Sequence, residues 1–140
     1  MIDMIEKIQR RATKLVPSIR HLDYSERLRV FGLTDLTSRR SRDDLIQMFK
    51  IMNKIECVKF EKGINFSHSG QFYNLRRHSK TLCREQVKNC PPRFHFLTNR
   101  VANVWNGLPE EVVNAKTVNS FKSKLDAWMV KKKEATATAH

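Results

Sequence analysis

Apolar residues recur at helical spacing along most of the chain, and the sharpest case lies between positions 94 and 109. At 3.6 residues per turn Phe94, Leu97, Val101, Val104, Trp105 and Leu108 fall on one narrow stripe, while Asn99, Asn103 and Asn106 face away. Gly107 is placed to cap this helix and Pro109 forbids its continuation, so Glu110-Glu111-Val112-Val113 begins a short second helix. A last helix follows, N-capped by Thr117 or Asn119, with Val118, Phe121, Leu125, Trp128 and Met129 along one side. These segments hold both tryptophans and three of the eight phenylalanines, and are expected to pack as one cluster.

The N-terminal third predicts three helices. In residues 1 to 16, Ile2, Ile5, Ile8, Ala12 and Leu15 share a face that is expected to pack, and Lys7, Arg10, Arg11 and Lys14 occupy the opposite one before Pro17 ends the helix. Asp23 and Glu26 form a capping box for a short helix from Tyr24 to Phe31, stopped at Gly32, with Leu28 and Phe31 pointing inward. Thr34 opens a longer helix to about Ile55. Its apolar face carries Leu45, Met48, Phe49, Met52 and Ile55, more simply read as core than as a binding groove, and Arg39, Asp43, Lys50 and Lys54 lie opposite.

From Glu56 to Pro92 the periodicity weakens, and two of the four glycines, two of the four prolines and all three cysteines fall here. This is an irregular connector. Gln71-Phe72-Tyr73-Asn74-Leu75 and Ser79-Lys80-Thr81-Leu82-Cys83 are compatible with a short hairpin around Arg76-Arg77-His78. The expected architecture is therefore mainly α: a three-helix bundle over 1–55, the connector over 56–92, a C-terminal helical segment over 93–133 and a disordered tail over 134–140.

Charge narrows the choice of partner. The 140 residues carry 27 Lys and Arg against 14 Asp and Glu, a net charge of +13 that attracts polyanions, nucleic acid first and an anionic membrane surface second. No apolar run approaches the roughly 18 residues a membrane span needs, and no signal-peptide core follows Met1. Cys57, Cys83 and Cys90, odd in number and irregular in spacing, argue against a disulfide framework. An intracellular location, nucleus or cytoplasm, is expected.

Candidate chemistry is mostly cationic. Lys7, Arg10, Arg11 and Lys14 on the first helix, and Arg39, Arg40 and Arg42 on the third, have the character of phosphate contacts, although Asp43 and Asp44 partly neutralise the second group. The plainer role, a solvated charged face, stands beside this one. Phe72, Tyr73, Arg76, Arg77, His78 and Lys80 combine aromatic and basic groups suited to single-stranded nucleic acid, while Phe72 and Tyr73 serve equally well to pin the connector to a core. Asp43-Asp44 beside arginines reads as ion pairing rather than a two-carboxylate metal site. His68, His78, Cys83, Cys90 and His95 lack the close ligand pairs of zinc fingers. Neither a phosphate-binding Gly-Lys loop nor a Gly-x-Ser-x-Gly elbow is present. No cofactor, metal, membrane partner or enzymatic activity is expected.

Three blocks taken together resemble a known family. Ile5-Glu6-Lys7-Ile8-Gln9-Arg10-Arg11-Ala12-Thr13-Lys14-Leu15-Val16-Pro17 with Arg20-His21-Leu22-Asp23-Tyr24-Ser25-Glu26-Arg27-Leu28, and then Arg39-Arg40-Ser41-Arg42-Asp43-Asp44-Leu45-Ile46 through Asn53, are similar to the segment just downstream of the polymerase core in LINE-type (non-LTR, jockey-like) retrotransposon reverse transcriptases. Asn99-Arg100-Val101-Ala102-Asn103-Val104-Trp105-Asn106-Gly107-Leu108-Pro109-Glu110-Glu111-Val112-Val113 with Val118-Asn119-Ser120-Phe121-Lys122-Ser123-Lys124-Leu125-Asp126 resembles the end of those polyproteins. The resemblance implies a thumb over about residues 1–55 plus a C-terminal extension, in a truncated copy of such an element. It implies Lys7, Arg10, Arg11 and Lys14 as contacts to template-primer phosphates of an RNA–DNA or DNA duplex, with little sequence specificity. The family's catalytic aromatic-Ala-Asp-Asp box is missing from this chain, as is an endonuclease domain, so no polymerisation is expected. The other reading is a structural module that docks on the absent polymerase core or associates with itself.

Overall fold

The computed structural model describes residues 2–60, 64 and 78–137. Among them the regular elements are helices: α1 (Ile2–Lys14), α2 (Tyr24–Val30), α3 (Leu36–Met52), α4 (Pro91–Phe94), α5 (Leu97–Trp105), α6 (Glu110–Val113) and α7 (Val118–Ala137). The chain is mainly α, as its periodicity predicts. It divides into two compact units, Met1–Asp43 and Asp44–His140, so the boundary falls inside α3 rather than near residue 55. The reason is the position of the apolar stripe of α3, which starts at Leu45 and belongs to the C-terminal core.

In the C-terminal unit Leu45, Met48 and Phe49 of α3 meet α5, the α6 turn and α7 around Trp105, which is fully buried. Phe49 and Phe121 stack with ring centroids 4.2 Å apart, and Trp105 lies 6.2 Å from Phe121. Truncating such a side chain costs about 3–5 kcal/mol, a large share of what a domain of this size has to spare. Arg100 of α5 grips Asp44 of α3 through two hydrogen bonds, of 2.7 and 2.6 Å. The aromatic cluster expected from the C-terminal segments is present, but it also takes in the second half of α3.

Two helix ends use the same device with different residues. After α2, Gly32 adopts φ +62° while its N–H reaches the Arg29 carbonyl (3.1 Å) and the Leu33 N–H reaches the Leu28 carbonyl (2.8 Å). After α3, Lys54 takes the left-handed position at φ 57°, with Lys54 N–H on the Ile51 carbonyl (3.1 Å) and Ile55 N–H on the Lys50 carbonyl (2.9 Å). The sequence marks the first stop with a glycine and leaves the second unmarked, so the expected end near Ile55 moves back to Met52 and Ile55 is exposed. At its start, α3 is capped by Asp35, whose carboxylate accepts the Ser38 N–H at 2.7 Å, rather than opening at Thr34.

Other expectations are corrected. The helix read through Phe94 begins at Leu97, because Phe96 is extended (φ −63°, ψ 151°) and Phe94 closes the separate turn α4. Gly107 has no left-handed φ, and an added Cβ would meet only ordinary contacts, Val104 O at 3.5 Å first. Asn99 and Asn106 do not face away from the core. Asn99 is buried, accepting the Glu85 N–H (3.0 Å) and donating to the Arg93 carbonyl (3.1 Å). Asn106 satisfies both backbone groups of Leu82, accepting its N–H and donating to its carbonyl, each at 2.8 Å. Phe31 is exposed rather than inward, and α7 continues through residues 134–137, where the composition predicts the start of a disordered tail; of the two caps its sequence offers, α7 uses Thr117 (Ser120 N–H to Oγ1, 3.1 Å). Of the expected hairpin, Leu82 carries an isolated β-bridge, and the first half, 71–75, lies outside the described residues.

Replacing Asn106 by Leu leaves the N–H and carbonyl of Leu82 without their partners and should lower the stability of the C-terminal unit in urea unfolding by about 1–3 kcal/mol. Lys54→Gly relieves a side chain from a left-handed backbone and should raise it by about 1 kcal/mol.

Candidate nucleic-acid interface

The N-terminal unit is held by polar groups. Its only buried residues among those described are Thr13, Arg27 and Leu28, while Met4, Ile5, Ile8, Leu15, Val16, Val30, Phe31 and Leu33 are all exposed. The apolar face of α1, expected to pack, faces solvent. What packs instead is the polar stripe Glu6, Gln9 and Thr13, one turn apart on the other side of the helix. The Gln9 side-chain amide donates to the Tyr24 hydroxyl (3.1 Å) and to the Thr34 carbonyl (3.2 Å). Glu6 accepts the Tyr24 O–H through Oε1 and the Leu36 N–H through Oε2 (3.0 Å), so one carboxylate ties α1 to α2 and to the N-terminus of α3.

Arg27 lies under this network at 2% exposure. Its Nε–H donates to Thr13 Oγ1 (3.1 Å), an Nη1–H donates to the Leu22 carbonyl, and its Cζ stands 5.7 Å from the centroid of the Tyr24 ring. A buried cation needs such partners, because without them desolvation outweighs whatever packing it provides. Burial first, and then the hydrogen bond to Glu6, push the Tyr24 phenol above its ordinary value, which keeps it a protonated donor. The capping box of α2 forms as its sequence predicts: Asp23 accepts the Glu26 N–H at 2.7 Å and Glu26 accepts the Asp23 N–H at 3.3 Å.

Locking one side of α1 presents the other. Lys7, Arg10, Arg11 and Lys14 are exposed and, with Met4 and Ile8, line one open depression. Arg10 is held with its Cζ 4.5 Å from the centroid of the Tyr24 ring. Lys7, Arg11 and Lys14 have no ion-pair partner among the described residues. On α3, Arg39 and Arg40 are exposed in the same unit, and Arg42 is half-buried, 3.9 Å from Asp43. Lys80 belongs to the other unit, where its carbonyl receives the Trp105 indole N–H at 2.9 Å. Arg76 and Arg77, like Phe72 and Tyr73, lie outside the described residues. His78, grouped with them in the sequence, is buried: its Nε2–H donates to the Trp105 carbonyl (2.8 Å) and its Nδ1 meets no partner among the described residues. Cys57, Cys83 and Cys90 are free and exposed, and no cluster of three metal-ligating side chains occurs among the described residues.

Tyr24 and Arg27 are the residues that periodicity missed, since apolar stripes do not mark a unit held together by hydrogen-bonded polar groups. The 6, 9, 13 spacing of polar side chains on α1 was the available signal. No family model, curated protein or solved structure matches the chain. No helix of the described residues is long and apolar enough to cross a membrane.

Tyr24→Phe keeps the ring beneath Arg10 but removes both hydrogen bonds of the hydroxyl, and should cost the N-terminal unit about 0.5–1.5 kcal/mol. A phenol with a raised folded-state value contributes fully below its unfolded value of about 10 and loses that contribution as pH rises through the folded one. Alkaline titration followed by circular dichroism should therefore show a loosening above about pH 10 in the parent chain that the Phe variant lacks.

Proposed function

We propose that this chain is a non-catalytic nucleic-acid-binding protein, a remnant of a LINE-type retrotransposon reverse transcriptase whose thumb-like N-terminal unit grips duplex phosphates. The observation that carries this reading is the outward row of cations on α1: Lys7, Arg11 and Lys14 without an ion-pair partner among the described residues, and Arg10 beside Tyr24. Cations already paired with carboxylates would have to break those pairs before neutralising a phosphate. These do not. The order of sequence blocks that resembles the reverse-transcriptase C-terminus supports the same reading, as does the net charge of +13.

Asp44 supports the non-catalytic part, because its carboxylate is engaged by Arg100 rather than presented with Asp43 as a pair of metal ligands. Phosphate contacts carry position and little sequence information, so binding should discriminate weakly between sequences. The docking reading is favoured by a different observation, the exposed apolar arc Met4, Ile5, Ile8 and Leu15, which an absent polymerase core would cover.

Fluorescence anisotropy of a labelled RNA–DNA primer-template across a salt series tests the proposal. Four phosphates neutralised by α1 should give a slope of log affinity against log salt of about −3 to −4. The triple variant Lys7→Glu, Arg11→Glu and Lys14→Glu changes exposed side chains that have no ion-pair partner among the described residues and should abolish binding while helix content stays the same. Unchanged affinity in that variant would transfer the argument to docking.

A further inference from the structure

The exposed surface of α1 is more than a row of charges. Around the helix three arcs follow one another: Gln9, Thr13 and Glu6 bound to the rest of the unit, then Lys14, Lys7 and Arg11, then Met4, Leu15, Ile8 and Ile5. The last four are 69%, 81%, 66% and 51% exposed. A phosphate grip uses only the basic arc. Nothing in it accounts for a continuous strip of large aliphatic side chains turned to water next to the cations.

We infer that this face of α1 seats on an anionic lipid surface, with the aliphatic arc entering the boundary between headgroups and acyl chains and the lysines and arginine beside it meeting lipid phosphates and carboxylates. A helix with a strong apolar side, a basic side and low overall hydropathy has the character of one that lies in the plane of a membrane interface. Charge decides against a second copy of the chain on this face, since it would bring Lys7, Arg11 and Lys14 of one molecule against those of another. Shape decides against a groove that encloses a helix: the Gln9–Thr13–Glu6 side is occupied by Tyr24, Arg27, Thr34 and Leu36, so only a partner that approaches from one side can be met. A bilayer is such a partner. The inference is independent of the nucleic-acid reading, because it rests on the aliphatic arc rather than on charge alone.

Flotation of the full chain with vesicles tests it, using phosphatidylcholine mixed with phosphatidylserine and phosphatidylcholine alone. The chain should float with the anionic vesicles and far less with the neutral ones. The double variant Ile5→Ser and Leu15→Ser alters exposed side chains of the aliphatic arc outside the depression that the cations line; it should weaken partition by more than about tenfold while primer-template affinity and helix content stay the same. Equal partition onto both vesicles would overturn the inference, and so would partition unaffected by the serine variant, which would reduce the effect to adsorption by charge. Capture of the chain by a synthetic acidic amphipathic peptide without flotation on vesicles would also overturn it and assign the face to a protein partner. Failure of duplex binding with lipid binding intact would sink the proposed function and leave this inference standing.

Discussion

Trp105 joins what the C-terminal unit would otherwise leave apart. Its indole N–H is satisfied by the Lys80 carbonyl, its own carbonyl by His78, and its ring fills the space beside Phe121. Burying an indole is favourable only when the N–H finds an acceptor, so the helix cannot settle into the core without drawing residues 78–82 onto itself. Asn106, one residue further on, completes the attachment by standing in for a neighbouring strand at Leu82. An extended segment with little helical or strand pattern of its own is thereby fixed by side chains of α5.

This explains which parts of the fold could be read in advance. Elements whose burial is apolar and periodic were legible: Val101 and Trp105 on α5, Phe121 and Leu125 on α7, Leu45, Met48 and Phe49 on α3 all sit where their spacing puts them. The capping box at Asp23 and the stop at Gly32 were legible because each needs a particular residue type. Lys54 in a left-handed turn carries no such mark, and neither do Asn99 and Asn106, whose amides look like solvent-facing polarity until the segments they bind are in place. On α1 the same rule misled, since hydrophobic periodicity identifies a face suited to burial and does not say that the chain itself will bury it.

The candidate site was legible in its charges and not in its support. Lys7, Arg10, Arg11 and Lys14 stand out from sequence alone, and the network that turns them outward is made of Glu6, Gln9, Thr13, Tyr24 and Arg27. Polar association of this kind is directional, so it fixes the rotation of α1 about its own axis more tightly than a smooth apolar contact would. The same rotation that presents the cations also leaves Ile5 and Ile8 in water, and both follow from one choice of which side to bind.

The boundary inside α3 has a consequence for what stability means in this chain. Residues up to Asp43 depend on hydrogen bonds around one buried arginine, whereas those from Asp44 share a core of stacked aromatic rings. A continuous helix therefore belongs to two cooperative systems of different strength, and its first turns can fray while its last remain folded. A single free energy of unfolding does not describe such a molecule, and a probe placed on α3 reports one system or the other according to which half carries it.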